Sequence, residues 1–378
     1  MSESATVQGI LNRYLGSYTQ TERLDARRLA VCRHICRCRT AAMGGIQLRC
    51  EHCADEPAHY FSCRDRHCPK CQQHASEMWS EKQQQNLLPV TYFHLVFTLP
   101  KALNGWAQLH PEVIYRLLFR SVWETLKAFG AEPKRLGGEL GMTAILHTWG
   151  QTLSQHLHLH CLVPGGAMSE SGDWHRARSN YLFPVRAVSR RFRGKMVSHL
   201  REAFNCGQLA RVTHPGEPGT TLDVLMLQDW VVYSRPAVSE PQQVLSYLAR
   251  YTHRTAISDA RVLSMSNAQV RLRYKDYRDH DRWKVMVLQA HEFLRRFLLH
   301  VLPKGLMRIR HYGFLANCCR RRKLAVVRTA LAAAGQCVTA KGEQRQVPIR
   351  FEGYPCPNCR QGMLRVIAQL RPLRWKGG

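Results

Sequence analysis

Apolar residues recur at helical spacing in several stretches of the chain. Near its beginning, Val7, Ile10 and Leu11 fall on one face of a helix, which predicts helical structure over residues 5–30. The segments PEVIYRLLFRSVWETLKAF and AHEFLRRFLLHVL show the same period, and residues 186–210 form a basic stretch of helical pattern. These stretches predict the helices of a mixed fold.

Other stretches carry the aromatic and β-branched residues that are typical of strands. They include TYFHLVFTLP, MTAILHTWGQ and LSQHLHLHCLVPGG, and we expect a further strand in DVLMLQDWVVYS. RVLSMS and QVRLRYKDY, joined at Asn267 and Ala268, predict a β-hairpin, with KVMVLQ as another strand. The pattern therefore predicts an α+β protein with a central antiparallel sheet and helices packed on it.

One predicted strand alternates histidine with leucine, from His156 through Leu157, His158 and Leu159 to His160. Successive side chains of a strand point to opposite faces, so the three histidines share one face at intervals of about 7 Å. The leucines then face the core. Two imidazoles at positions i and i+2 can converge on one divalent ion, whereas the alternative is a histidine-rich surface strand.

The net charge of the chain indicates what kind of partner it binds. The 378 residues include 55 lysines and arginines against 27 acidic residues, giving a formal net charge of +28. Such an excess favours a nucleic-acid partner, with an anionic membrane surface or a merely solvated basic surface as alternatives.

The cysteines are concentrated in one region, since eight of the 15 lie between Cys32 and Cys71. No stretch of about 18 apolar residues predicts a transmembrane helix, and no secretory signal is visible at the N-terminus. We therefore expect a cytoplasmic protein with reduced thiols that are available to metals.

Two C-x2-C pairs, Cys50 with Cys53 and Cys68 with Cys71, are separated by 14 residues. This spacing is typical of a four-cysteine zinc site, in which each tight turn supplies two thiolates. Five arginines in the same region make it a candidate for docking on DNA. They are Arg37, Arg39, Arg49, Arg64 and Arg66.

Four more potential ligands lie near these pairs, namely Cys38, Cys63, His34 and His67. They predict either a second zinc site or ordinary buried thiols and a surface histidine. Cys63 or His67 is also able to replace a ligand of the first site, so the grouping stays open.

A third pair, Cys356 and Cys359, lies far along the chain. If it binds zinc, its two missing ligands are to be sought among Cys318, Cys319 and Cys337.

A pair of tyrosines lies on a predicted helix that begins near Ser239. Tyr247 and Tyr251 are four residues apart and share a face, and Gln243 is one turn earlier on the same stripe. By itself such a pair is typical of tyrosines packed in a core. It becomes a candidate functional pair because the same chain carries the histidine strand and a large basic charge.

Together these motifs resemble the HUH endonuclease superfamily, in which U is a hydrophobic residue, and within it the two-tyrosine transposases of bacterial insertion sequences. The resemblance covers nearly the whole chain. It rests on SCRDRHCPKC, FHLVFTLP, HLHLHCLVPGG, YLARY and RIRHYGFLAN, in that order.

The resemblance implies that His158 and His160 bind a catalytic Mg²⁺ or Mn²⁺ and that Tyr247 and Tyr251 are the nucleophiles. A tyrosine would cut single-stranded DNA and remain joined to its 5′-phosphate. A third metal ligand is usual in the family, and the resemblance also implies a bacterial, nucleoid-associated protein.

For that third ligand we expect Gln243, with His156 as the competitor. Basic residues near the tyrosines and in the RIRHYGFLAN region are candidates to hold the DNA. They are Arg250, Arg254, Arg308, Arg310, Arg320, Arg321, Arg322 and Lys323.

The predicted function is therefore transposition by nicking and rejoining single-stranded DNA. A rolling-circle replication initiator is one alternative, and a zinc-dependent DNA-binding regulator without catalysis is another. The predicted domains are a helix and zinc module over 1–88, a catalytic domain over 89–262, and a basic region over 263–378.

Overall fold

The computed structural model describes most of the chain. The described residues are 5–72, 78–79, 83, 86–178, 181–210, 217–238, 255–277, 279–334 and 354–373.

The chain divides into two compact units. The first consists of Met1–Ala75, Ile257–Val301 and Thr339–Gly378, and the second of Ser76–Ala256 and Leu302–Val338. This grouping differs from the three consecutive domains predicted from the sequence, because segments from both ends of the chain belong to one unit.

The first unit has three helices and two small antiparallel sheets among its described residues. The helices are α1 (Val7–Thr21), α2 (Ala26–Arg37) and α7 (Ala290–Leu298). One sheet has the order β13-β14-β1-β2, and the other β11-β10-β9. Their strands are β1 (Gly45–Cys50), β2 (Ala58–Tyr60), β9 (Val262–Ser266), β10 (Gln269–Asp276), β11 (Arg282–Gln289), β13 (Tyr354–Pro355) and β14 (Met363–Leu370).

The structure of this unit tests two predictions that were made from the sequence. The helical stretch predicted over residues 5–30 is broken in two, because Asp25 caps the second helix by accepting a hydrogen bond from the Arg28 amide. The predicted hairpin is confirmed, and both Asn267 and Ala268 adopt the left-handed conformation that a tight hairpin turn requires.

The second unit is built on a five-stranded antiparallel sheet with the order β12-β4-β5-β3-β8. Its strands are β3 (Tyr92–Thr98), β4 (Gly141–Trp149), β5 (Gln155–Pro164), β8 (Val232–Val238) and β12 (Ile309–Gly313). A separate ribbon pairs β6 (Gly166–Met168) with β7 (Trp174–Arg176). The helices are α3 (Asn104–Leu109), α4 (Pro111–Ala131), α5 (Val185–Asn205), α6 (Glu217–Leu227) and α8 (Arg320–Ala333).

Apolar side chains cover both faces of this sheet, but unevenly. On one face Leu157 and Leu159 join a large core with Phe119 of α4 and Phe192 of α5. On the other face a smaller cluster joins the sheet to α8 through side chains that include Leu162 and Val327. The histidine strand β5 is the middle strand of the sheet, and the predicted α+β fold is confirmed.

One predicted strand is partly wrong. The segment DVLMLQDWVVYS was expected to be extended, but its first five residues end helix α6, and only its last part enters β8. Leu222 and Leu225 are buried in the core of this unit, while Leu227 is exposed. A short apolar run does not distinguish a helix from a strand, and here the packing of one helical face decides.

Candidate metal centre and cysteine clusters

The centre of the five-stranded sheet carries a cluster of three histidines on one face. His158 and His160 come from β5, and His147 comes from the neighbouring strand β4, where it pairs with His158. One ring nitrogen from each lies within 4.8 Å of the others. The Nε2 atoms of His158 and His160 are 3.1 Å apart. We call His147, His158 and His160 the histidine triad.

Hydrogen bonding fixes which nitrogen of His158 faces the triad. Its Nδ1 lies 2.8 Å from the carbonyl oxygen of His156, and a carbonyl only accepts. Nδ1 therefore carries the proton, and the lone pair on Nε2 points toward His160. Metal-binding histidines are commonly held by such a bond from the other ring nitrogen.

His160 is supported in a similar way by a residue of the next strand. Its Nδ1 lies 2.8 Å from Nε2 of His94 on β3, and the two rings are stacked. With a proton on Nδ1 of His160 and His94 as its acceptor, the Nε2 of His160 would carry the lone pair that binds an ion. His94 thus positions His160 without belonging to the triad.

Burial favours the neutral form of two of these imidazoles, those of His158 and His94. It lowers the pKa of His158 to about 3, an effect to which His156 adds, and lowers the pKa of His94 to about 4 together with the charge of Arg235. A neutral imidazole is the form that binds a metal. The donor set is three imidazoles with one ring nitrogen of each within 4.8 Å of the others, and it therefore fits a divalent transition ion such as Mn²⁺.

The third histidine of the triad was not predicted from the sequence. His156 faces the same side of β5, but its ring lies outside the triad and it contributes a backbone carbonyl to His158. Gln243 lies outside the described residues. A signal for His147 was present in the sequence, because a short turn between MTAILHTWGQ and the histidine strand brings His147 opposite His158 once the strands pair.

The cysteines form two clusters that divide the C-x2-C pairs differently from the prediction. In each cluster the four sulfur atoms lie within 4.8 Å of one another. The first cluster contains Cys38, Cys63, Cys68 and Cys71. The second contains Cys50, Cys53, Cys356 and Cys359.

The predicted four-cysteine site of Cys50, Cys53, Cys68 and Cys71 is therefore corrected, since its halves fall in different clusters. Cys318 and Cys319 belong to neither cluster, and Cys337 lies outside the described residues. The partners of the C-terminal pair were thus sought in the wrong part of the chain.

The two histidines near the first cluster bind a carboxylate. His34 and His67 each place Nδ1 within 2.9 Å of an Asp65 oxygen. Burial would raise the pKa of Asp65, but these hydrogen bonds outweigh it and hold the pKa below its usual range. The expectation that His34 or His67 binds zinc is not supported by this arrangement.

The predicted DNA-binding residues differ in accessibility. Arg308 is buried, and the guanidinium of Arg310 lies 4.2 Å from the ring centroid of Phe119. Lys323 forms an ion pair with Glu139. Four of the predicted site residues besides Gln243 lie outside the described part of the chain. They are Tyr247, Arg250, Tyr251 and Arg254.

Comparison with known proteins gives the class. Residues 141–323, which include the histidine triad, match a family model described as "Putative transposase". Residues 10–99 match one described as "Transposase zinc-binding domain". These two matches identify the class of the chain, a transposase with a zinc-binding module.

Two similar proteins identify the family to which the chain belongs. The chain is 42% identical to "Putative transposase y4qJ" of Sinorhizobium fredii, over 96% of this chain and 94% of that protein. It is 29% identical to the "Transposase for insertion sequence element IS801" of Pseudomonas savastanoi pv. phaseolicola, over 88% of this chain and 81% of that protein. The chain belongs to this family of insertion-sequence transposases, which confirms the resemblance drawn from the motifs.

No solved structure matches the chain. In the part of the chain that the structure describes, no helix combines the length and the apolar character needed to cross a membrane.

Proposed function

We propose that this transposase nicks and rejoins single-stranded DNA through a 5′-phosphotyrosine linkage. The observation that supports this most is the histidine triad, in which three imidazoles converge at the centre of the sheet. Such a site suits a reaction at a phosphate, because a phosphodiester resists a nucleophile until its charge is offset.

In the proposed reaction Oη of Tyr247 or Tyr251 attacks the phosphorus and loses its proton. The bond from phosphorus to the 3′-oxygen breaks, and that oxygen takes up a proton to become a free 3′-OH. Mg²⁺ or Mn²⁺, when bound, would polarise the phosphate and offset its charge. The triad supplies the ligands, and His94 holds His160 in the orientation for binding.

The linkage conserves the energy of the phosphodiester, so a 3′-OH can attack it and rejoin the strand without another energy source. Two tyrosines four residues apart allow two strand ends to be held, which suits alternate cutting and joining. The third metal ligand in this proposal is His147 in place of Gln243 or His156.

A surface of the first unit has the chemistry to hold single-stranded DNA. On the sheet β11-β10-β9, Arg271 pairs across with Val287, Arg273 with Val285, and Lys275 with Trp283, so these side chains share a face. Trp283 is 54% exposed, and the guanidinium of Arg273 lies 4.6 Å from its ring centroid. We call these six residues the aromatic-basic face.

An exposed indole offers a stacking surface to an unpaired base, and the cations attract the phosphates beside it. The buried residues Val270 and Leu272 point to the other side of the sheet. We therefore propose that the aromatic-basic face binds single-stranded DNA.

The covalent linkage provides the test. The protein is incubated with Mn²⁺ and a single-stranded oligonucleotide from an element end, labelled at its 3′ end so that the label stays with the tyrosine. We expect a labelled protein band on a denaturing gel, absent with a chelator and absent from the double variant Tyr247→Phe, Tyr251→Phe.

Tyr233→Phe is the matched control, because Tyr233 is an exposed tyrosine of β8, and it should form the linkage normally. A linkage that persists in the double variant would exclude both tyrosines. No linkage under any condition would favour a non-catalytic DNA-binding regulator. Nicking of an origin without transfer between element ends would favour a replication initiator.

A further inference from the structure

The second cysteine cluster joins residues that are more than 300 positions apart. Cys50 Sγ lies 3.7 Å from Cys359 Sγ, and Cys53 Sγ lies 3.7 Å from Cys356 Sγ. We propose that these four cysteines hold a second structural zinc ion, which fastens the C-terminal strands to the N-terminal zinc module.

The sulfur spacing agrees with this metal. Four thiolates around Zn²⁺ at about 2.3 Å, in tetrahedral geometry, lie about 3.8 Å from each other. A disulfide requires about 2.05 Å between its sulfur atoms, so the pairs at 3.7 Å are not in disulfide geometry.

Backbone amides also point at the sulfur atoms. The amides of His52 and Cys53 lie 3.4 and 3.5 Å from Cys50 Sγ, and the amide of Gly362 lies 3.4 Å from Cys359 Sγ. Such N–H donors stabilise thiolate, the form that binds zinc.

Both turns have the same backbone feature directly after the second cysteine. Ala54 and Arg360 adopt left-handed conformations, with φ of 57° and 58°. Gly362 then approaches the N-terminal turn so closely that a Cβ there would lie 2.6 Å from both Cys50 Sγ and His52 Cβ. The two turns are thus shaped to meet around one point.

Strand pairing brings the two halves together. β14 pairs antiparallel with β1 from Gly45 opposite Leu370 to Cys50 opposite Leu364. The apolar cluster at this end contains only a few side chains, with Leu48 and Leu364 packed against the buried Cys50 and Cys356. So small a core requires a metal to be stable.

Zinc content gives the first test, with the full chain purified without chelator. By elemental analysis we expect the variant Cys356→Ser, Cys359→Ser to hold one zinc ion fewer per chain than the unaltered chain, whatever the histidine triad binds, and Cys318→Ser to hold as many as the unaltered chain. Cys318 is exposed and belongs to neither cluster, so it is the matched control. An equal zinc content in the double variant and the unaltered chain would overturn the proposal.

Alkylation of the unaltered chain gives a second test that does not depend on how variants fold. Cys53 is exposed, so only a bound metal explains its protection from iodoacetamide. Mass spectrometry should find Cys53, Cys356 and Cys359 unmodified until a chelator is added, while Cys318 reacts throughout. Modification of Cys53, Cys356 and Cys359 as fast as Cys318 would contradict a zinc site here.

Discussion

His158 illustrates how a single residue is prepared for its task by its neighbours. Its Nδ1 donates a hydrogen bond to the carbonyl oxygen of His156, and burial lowers the pKa of the His158 imidazole to about 3. The imidazole therefore presents an unprotonated Nε2 near neutral pH. His160 depends in the same way on a residue of another strand, His94.

Replacing the third member of the triad tests the metal centre directly. We expect His147→Ala to weaken Mn²⁺ binding at least about tenfold, because one of three ligands is lost. The matched control is His156→Ala, which removes a neighbouring imidazole but keeps the carbonyl that orients His158. Titration calorimetry measures both. A loss in His156→Ala equal to that in His147→Ala would make His156 the third ligand.

Histidine burial also predicts a dependence of stability on pH. Burial, with the charge of Arg320, lowers the pKa of His311 from 6.5 to about 4. As the pH falls below about 6.5, His311 is protonated in the unfolded chain but stays neutral in the folded chain. The free energy of unfolding therefore decreases until about pH 4.

The variant His311→Gln, which can keep a hydrogen bond to Thr143, should flatten this decrease by up to about 1.4 kcal/mol per pH unit. Urea unfolding at pH 7, 6 and 5 gives the slopes. Equal slopes in the variant and the unaltered chain would show that His311 is not responsible.

At the scale of elements, the sequence was most informative where the pattern is local. The alternation in β5 predicted the shared face of His158 and His160 because side chains of one strand alternate whatever its neighbours are. His147 was missed because its place in the site depends on how β4 pairs with β5. The helix α6 was missed because the four-residue apolar run VLML suits either structure.

The cysteine clusters show the same limit over a longer distance. All three C-x2-C pairs look alike in sequence, and spacing favoured joining the two nearest, at Cys50 and Cys68. The pairing of β14 with β1 selects the distant partner instead. No local pattern contains that information, since it arises from strand pairing between the two ends of the chain.

The sheet that carries the aromatic-basic face makes its own prediction. Trp283→Ala should weaken binding of single-stranded DNA by about 1–3 kcal/mol, because one stacking surface is lost. Binding of a duplex, whose bases are already stacked, should change much less. Arg282→Ala is the control, since the exposed Arg282 is adjacent to Trp283 and points to the opposite side of the strand. If both variants weaken single-strand binding equally, Trp283 does not provide the proposed stacking surface.

At the scale of the whole molecule, the net charge of +28 sets how binding responds to salt. Each phosphate contacted by a cation releases counterions, and for single strands the slope of log K against log salt is about −0.7 per contact. With about five contacts, affinity should fall on the order of a hundredfold between 50 and 200 mM KCl. Fluorescence anisotropy with a labelled oligonucleotide measures this, and an affinity independent of salt would argue against phosphate contacts.

The second cysteine cluster also has a consequence for the order of events during protein synthesis. All four ligands of the first cluster are available once Cys71 has been made, whereas Cys50 must await Cys359, which follows 309 residues later. At about 5–20 residues per second that interval is roughly 15–60 s. A nascent chain can thus fill one zinc site early, while the thiols of Cys50 and Cys53 stay open to other metals and oxidants until the last strands arrive.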